Sequence, residues 1–81
     1  MTSTELAAEI KREITDDPTI DGARHIYVFV SKKGIWPFRK DEIHMSGDVH
    51  KESDKNKAME HAKHAAGDTP VFNDILITPP R

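Results

Sequence analysis

The sequence predicts an α+β domain with the element order α-β-β-α-β, in which two helices cover one face of a three-stranded mixed sheet. Three observations predict it: apolar residues at helical spacing near the N-terminus, two runs of alternating apolar residues, and a strand–helix–strand pattern over residues 42–77. A strand, helix and strand of these lengths form a right-handed βαβ unit with parallel strands. The 81 residues suffice for a single domain.

The first helix is predicted over residues 3–15. Thr2 is the expected N-cap, because Glu5 follows three residues later and completes a capping box. Pro18 disfavours helical geometry at the residue before it, so the helix should end at Asp16 and Asp17. Apolar side chains at helical spacing mark the buried stripe, namely Leu6, Ala7, Ile10 and Ile14.

The first strand is predicted over residues 25–31, and both of its faces are apolar at the centre. Tyr27 and Phe29 lie on one face. Either this strand is central in the sheet, which the two apolar faces favour, or Tyr27 and Phe29 form an exposed patch. The opposite face carries Ile26, Val28 and Val30.

Residues 31–41 interrupt the pattern before the second strand, predicted over residues 42–49 and antiparallel to the first. Pro37 disfavours a continuous ladder in the interruption. Gly47 lacks a Cβ atom and permits a bend or close packing near the end of the second strand. His44 alternates with apolar residues and should lie on the more solvated face. The apolar face carries Ile43, Met45 and Val49.

The second helix is predicted over residues 54–66, with Ser53 or Asp54 as its N-cap. Gly67 should supply the left-handed C′ residue that commonly ends a helix. Small side chains would let this helix lie close to the sheet, namely Ala58, Ala62 and Ala65, with Met59 beside them.

The third strand is predicted over residues 71–77, parallel to the second. Asn73 interrupts its apolar run, and we expect a buried hydrogen bond there that fixes a turn or strand end. Ile20 should tuck under the turn after the first helix. The expected core contains Leu6, Ile10, Ile14, Ile26, Val28, Val30, Ile43, Met45, Val49, Ala58, Ala62, Ala65, Val71, Ile75 and Ile77.

Several of these motifs together resemble the BON family, named for bacterial osmotically inducible and nodulation proteins. The resemblance covers about residues 4–77, nearly the whole chain. Its residues are Asp16-Asp17-Pro18, Ile26-Tyr27-Val28, Ile43-His44-Met45-Ser46-Gly47-Asp48-Val49, Ala58, Ala62, Gly67 and Val71-Phe72-Asn73-Asp74-Ile75-Leu76-Ile77.

The resemblance implies an α-β-β-α-β fold and attachment to membranes or envelope components, chiefly phospholipid, without catalysis. It carries over no binding residues, because the family has no agreed set. Two departures stand out: residues 35–40 lengthen the turn between the first two strands, and Asp68 replaces the usual Val after the helix-ending glycine.

Composition excludes several classes of protein. The net charge of -2 argues against a general polyanion binder, and the lack of cysteine excludes disulfide scaffolds and thiolate chemistry. No apolar run reaches the roughly 18 residues of a spanning helix, and the acidic N-terminus is unlike a signal peptide. We therefore expect a cytoplasmic protein if the chain is complete, and a periplasmic one if it is an excised domain.

The leading candidate site is the basic and aromatic segment of residues 32–40. Its aromatic side chains would enter the headgroup region of a membrane while its basic side chains meet anionic phospholipid. Alternatively, Trp36 and Phe38 fold back over Tyr27 and Phe29. Nucleic-acid stacking uses the same residue types, but the short run and the net negative charge argue against it. The candidate lipid-binding residues are Lys32, Lys33, Ile35, Trp36, Phe38, Arg39 and Lys40.

Metal and catalytic sites are less well supported by the sequence. His61 and His64 share a helix face, but zinc needs further ligands that Glu60 or His50 would supply only by tertiary approach. Ser46 follows His44 on one strand face without an evident oxyanion donor. We therefore predict no enzyme, no metal and no cofactor.

The predicted function is a non-catalytic binding module that attaches to phospholipid or an envelope surface. The alternative is a protein-interaction module that forms a homodimer, or binds a partner, through the open sheet face or an edge strand.

Overall fold

The computed structural model describes residues 2–34, 37 and 40–79. It confirms the α+β class and the order helix-strand-strand-helix-strand, with the last strand divided in two. The helices and strands are α1 (Ser3–Asp16), a 3-10 helix (Ala23–His25), β1 (Ile26–Lys33), β2 (Lys40–Val49), α2 (Glu52–Ala66), β3 (Val71–Asn73) and β4 (Leu76–Ile77).

The sheet has β2 at its centre, with β1 on one side and both β3 and β4 on the other. The predicted directions are confirmed, because β1 is antiparallel to β2 while β3 and β4 are parallel to it. The favoured central position of β1 is wrong. The backbone of β2 bonds to neighbours on both sides, and its Met45 carbonyl accepts from the Asp74 amide at 2.9 Å. β1 is therefore an edge strand.

The first helix has the predicted start and end. Its N-cap is Thr2, whose hydroxyl accepts from the Glu5 backbone amide at 3.1 Å. Its C-cap is Asp17, just before Pro18. This helix packs against β1 and α2 on one face of the sheet, as predicted.

The β1–β2 hairpin is longer than predicted. Its ladder continues to the pair Lys33 and Lys40, so β1 ends two residues later and β2 begins two residues earlier than expected. The interruption is accordingly confined to residues 34–39. Pro37 lies within this connection, outside the ladder, as its missing N–H requires.

The second helix begins at Glu52, earlier than predicted. Its N-cap is Lys51, without a side-chain cap hydrogen bond, so the expected cap at Ser53 or Asp54 is wrong. Asp54 lies in the first turn instead and is only 2% exposed, because the helix packs this face against the rest of the molecule. Gly67 ends the helix, as predicted, but the expected left-handed conformation is wrong, because its φ of 60° is combined with a ψ of -116°.

Asn73 divides the third strand position into two short strands. Its side-chain oxygen accepts from the Ile75 backbone amide at 3.1 Å, and its amide nitrogen donates to the Lys55 carbonyl at 3.4 Å. The predicted hydrogen bond at a turn is therefore confirmed, but Asn73 is half-buried and not buried as expected. The continuous strand over residues 71–77 is wrong, because this local turn breaks the ladder between β3 and β4.

The core lies between the sheet and the two helices. Most of its predicted members are buried, with Leu6, Val28, Val30, Ala65 and Val71 half-buried at the margin. Ile77 is wrong as a core residue, because it ends the short edge strand β4 and is 45% exposed. The fully or nearly buried apolar residues are Ala7, Ile10, Ile14, Ile20, Ala23, Ile26, Ile43, Met45, Val49, Ala58, Ala62, Ala66 and Ile75.

Gly47 is the position where β2 requires a missing side chain. Its φ is +118°, and a Cβ atom there would lie 1.8 Å from the carbonyl oxygen of His25. The predicted close packing is confirmed, since the 3-10 helix approaches the backbone of β2 at this point.

Candidate functional site

The hairpin end carries three exposed lysines, Lys32, Lys33 and Lys40, which we call the lysine cluster. Lys33 and Lys40 are direct cross-strand partners, an arrangement of like charges that is destabilising by itself. Among the described residues, none of the three forms an ion pair. The other predicted lipid-binding residues lie outside the described residues, namely Ile35, Trp36, Phe38 and Arg39.

The sheet face opposite the helices, called the outer face here, carries a stack of three rings. The ring of His44 lies 5.6 Å from Phe29 and 5.0 Å from Phe72, with interplanar angles of 16° and 21°. The register explains this aromatic row, because His44 pairs with Phe29 on β1 and with Phe72 on β3. One ring from each of three adjacent strands therefore forms a continuous surface.

Two further apolar side chains are exposed on the outer face, Tyr27 opposite Ser46 and Leu76 opposite Asp48. The exposed fractions are 61% for Tyr27, 46% for Phe29, 43% for Phe72 and 66% for Leu76. These values confirm the second of the two alternatives for β1, an exposed patch containing Tyr27 and Phe29. Exposed large apolar groups are informative when they are contiguous, since such patches mark interaction sites.

His44 is held in the aromatic row by two carboxylates. Its Nε2 atom lies 3.2 Å from Glu42 Oε1, and its Nδ1 atom lies 3.7 Å from Asp74 Oδ2. Ser46, the serine considered with His44 for catalysis, forms no side-chain hydrogen bond with His44 among the described residues. The imidazole is thus oriented by acidic neighbours, as a fixed part of a binding surface would be.

The two sheet edges are partly protected. At the β1 edge, Lys11 Nζ donates to the carbonyls of Ala23, at 3.2 Å, and Ile26. Burial lowers the pKa of Lys11. At the other edge, β3 and β4 are short and separated by the Asn73 turn. A short, divided edge resists strand addition, whereas the Lys11 contact protects the start of β1, at Ile26.

The helical histidines do not form a metal site in the described part of the chain. No group of three potential ligands is present there. His61 is half-buried and lies 2.8 Å from Asp17 Oδ2, so it ties α2 to the turn after α1. Hydrogen bonds with His61 and from Thr19 hold the pKa of the Asp17 carboxyl well below its usual range. His50 lies 2.9 Å from the Thr78 carbonyl oxygen.

Sequence reasoning missed the aromatic row. Each residue of the row lies at a strand position whose side chain faces away from the helices. His44 was expected on the more solvated face. The missing information was the register, because stacking requires that Phe29 and Phe72 pair with the same residue of β2. If β2 had been placed at the centre of the sheet, the sequence pattern would have predicted a row of rings.

No helix in the described part of the chain has both the length and the hydrophobicity that a membrane span requires. Comparison with models of known protein families gives no match, and comparison with curated proteins gives no significant match either. The resemblance to BON domains therefore rests on the motif residues given above.

Proposed function

We propose that this chain is a non-catalytic module that attaches to anionic phospholipid through its hairpin end. The observation that carries the proposal is the lysine cluster, in which Lys33 and Lys40 oppose each other without an acidic partner among the described residues. Cross-strand like charges reduce stability, whereas a nearby anionic surface would stabilise them. The sequence also places Trp36 and Phe38 in the connection between these lysines.

The expected affinity is modest and depends on salt. Each lysine near an anionic membrane contributes about 1 kcal/mol, and the attraction decays within a Debye length of about 10 Å at 0.1 M salt. Three lysines and Arg39 would hold the protein reversibly at low ionic strength. The resemblance to BON domains supports the same ligand class, since it implies attachment to phospholipid.

Co-sedimentation with vesicles tests the proposal. The wild-type chain should bind vesicles rich in phosphatidylglycerol at low salt and lose binding at high salt or with phosphatidylcholine alone. The double variant Lys32→Glu, Lys33→Glu should bind at least tenfold more weakly, because about 1 kcal/mol is lost with each lysine and repulsion is added. The fluorescence of the single tryptophan provides a second readout.

The matched control is Lys51→Glu, Lys63→Glu, which changes the net charge equally at two exposed lysines far from the hairpin end in the sequence. This control should retain binding. Equal loss in both double variants would show that only net charge matters, and no binding by the wild type would refute the proposal.

The alternative function, a protein-interaction module, is favoured by a different observation. The aromatic row and its apolar neighbours occupy the outer face, on which no helix packs in the described part of the chain. An exposed apolar patch of this kind typically marks a protein contact. The lipid proposal depends on the lysine cluster and the alternative on the aromatic row, so variants of Lys32 and of Phe72 test the two functions separately.

A further inference from the structure

We propose that the outer face binds a second copy of this chain, face to face and with the strands of the two copies antiparallel. The inference rests on the alternative function of protein interaction, and it does not depend on attachment to phospholipid. The two-fold axis would lie in the interface along the aromatic row, so that the two copies contribute the same surface.

The apolar groups of the outer face fit such an arrangement. Rotation about the aromatic row places Phe29, His44 and Phe72 against the same three residues of the second copy. Phe29 and Phe72 are 46% and 43% exposed, so each retains ring surface available for the contact. Sheets that pack face to face interdigitate such side chains and keep their strands within about 30° of each other.

The charges along β2 select the antiparallel orientation. Lys40 and Asp48 are exposed, lie on the same face as His44, and are each four residues away from it in opposite directions. At about 3.4 Å per residue, each charge lies roughly 14 Å from the axis. Rotation therefore places Lys40 over Asp48 of the second copy, twice per dimer. A parallel arrangement would place like charges together.

The size of the face predicts a weak dimer. The strands have ten residues in β2, eight in β1 and five in β3 and β4 together, which give a plan area of about 380 Å² per copy at about 3.4 Å per residue and 4.8 Å per strand. Stable complexes bury about 800 Å² per partner, so a face of this smaller size favours weak, concentration-dependent association.

Sedimentation velocity over a concentration series, without vesicles, tests the proposal by charge reversal. The wild type should associate as concentration rises. Lys40→Asp alone and Asp48→Lys alone should each associate about tenfold or more weakly, because each places like charges together twice. A mixture of these two variants should associate about as well as the wild type, since both pairs of residues 40 and 48 across the interface are again of opposite charge.

A control and a second type of variant complete the design. Lys63→Asp changes an exposed lysine of α2, opposite the outer face, and should associate like the wild type. Phe72→Ser should weaken association without changing any charge. Circular dichroism of each variant confirms that it folds.

Three results would overturn the proposal: a wild type that stays monomeric to millimolar concentration, a mixture that fails to associate, or a dimer unaffected by both Lys40→Asp and Phe72→Ser. A monomer that still binds anionic vesicles would refute the dimer alone. A dimer that binds no vesicles would refute only the lipid proposal.

Discussion

The two faces of β2 differ in what covers them, although they belong to the same ten residues. On the inner face, Ile43 and Met45 are fully buried beneath the helices. On the outer face, His44 stacks between Phe29 and Phe72, and both phenylalanines keep nearly half of their surface exposed. Because side chains alternate along a strand, adjacent residues serve folding and binding separately.

This difference indicates where stability resides. Burial of apolar surface contributes about 25 cal/mol per Å², and Ile43 and Met45 of the inner face belong to the buried core cluster. A domain of this size has a free energy of unfolding of only about 5–10 kcal/mol, so changes on the inner face should be severe. Changes on the outer face should alter binding with little effect on stability.

The largest effect is expected from Gly47→Ala, at the end of the inner face. Its Cβ atom would lie 1.8 Å from the His25 carbonyl oxygen, and the φ of +118° is strained for any L residue. The strain alone costs about 1–3 kcal/mol, and the clash adds to it, so we expect a loss of more than about 3 kcal/mol. Urea unfolding followed by circular dichroism measures it.

Gly67→Ala separates strain from the clash. Gly67 also has a positive φ of +60°, but nothing lies within 4 Å of its Cβ position. This variant should therefore lose less stability than Gly47→Ala. Equal losses at the two glycines would contradict the close approach of the 3-10 helix to β2.

An intermediate effect is expected from Met45→Ala, compared with Phe29→Ala on the outer face. Met45 is fully buried, so truncation should cost about 2–5 kcal/mol through lost burial and a cavity. Phe29 is 46% exposed and loses chiefly its stack with His44, worth about 1 kcal/mol. Equilibrium unfolding of both variants provides the comparison.

This pair of variants tests whether the two faces of β2 differ in their contribution to stability. If Phe29→Ala destabilised the chain as much as Met45→Ala, the aromatic row would be a structural layer rather than a free binding surface. The proposed docking of a second copy would then lose its main apolar contribution.

The elements that the sequence predicted well are those with local causes. The capping box at Thr2, the stop at Pro18 and the hydrogen-bonding role of Asn73 depend on residues close in the chain. Gly47 was also recognised, because a glycine inside a strand usually has a packing reason. Local signals of this kind act before any tertiary contact is specified.

The elements that the sequence missed depend on pairing between distant segments. The edge position of β1 follows from the placement of β3 and β4 on the other side of β2. These two strands follow their partner residues in β2 by about 30 residues in the chain. The aromatic row requires that same placement. Helix α2 begins at Glu52, and Asp54, which the sequence pattern indicated as a cap, is buried in its first turn.

The smallest effect on stability is expected from a polar contact between α2 and the turn after α1. Asp17 accepts hydrogen bonds from Thr19 and pairs with His61 of α2 at 2.8 Å. These bonds lower the pKa of the Asp17 carboxyl below its usual value of about 3.9. We predict that this contact stabilises the fold in a way that depends on pH, unlike the apolar contacts of Met45.

The direction follows from the lowered pKa. A carboxyl whose folded pKa is below its unfolded pKa contributes stability above the unfolded value, and this contribution falls as pH drops from about 5 through the folded value. The wild type should exceed Asp17→Asn in stability at pH 6, and the difference should shrink at pH 3. Urea unfolding at both pH values measures it.

Asp16→Asn, which removes a surface contact with Arg12, is the neighbouring control. A difference for Asp17→Asn that is unchanged between pH 6 and pH 3 would show that the Asp17 carboxylate does not link α2 to the turn after α1 through its charge.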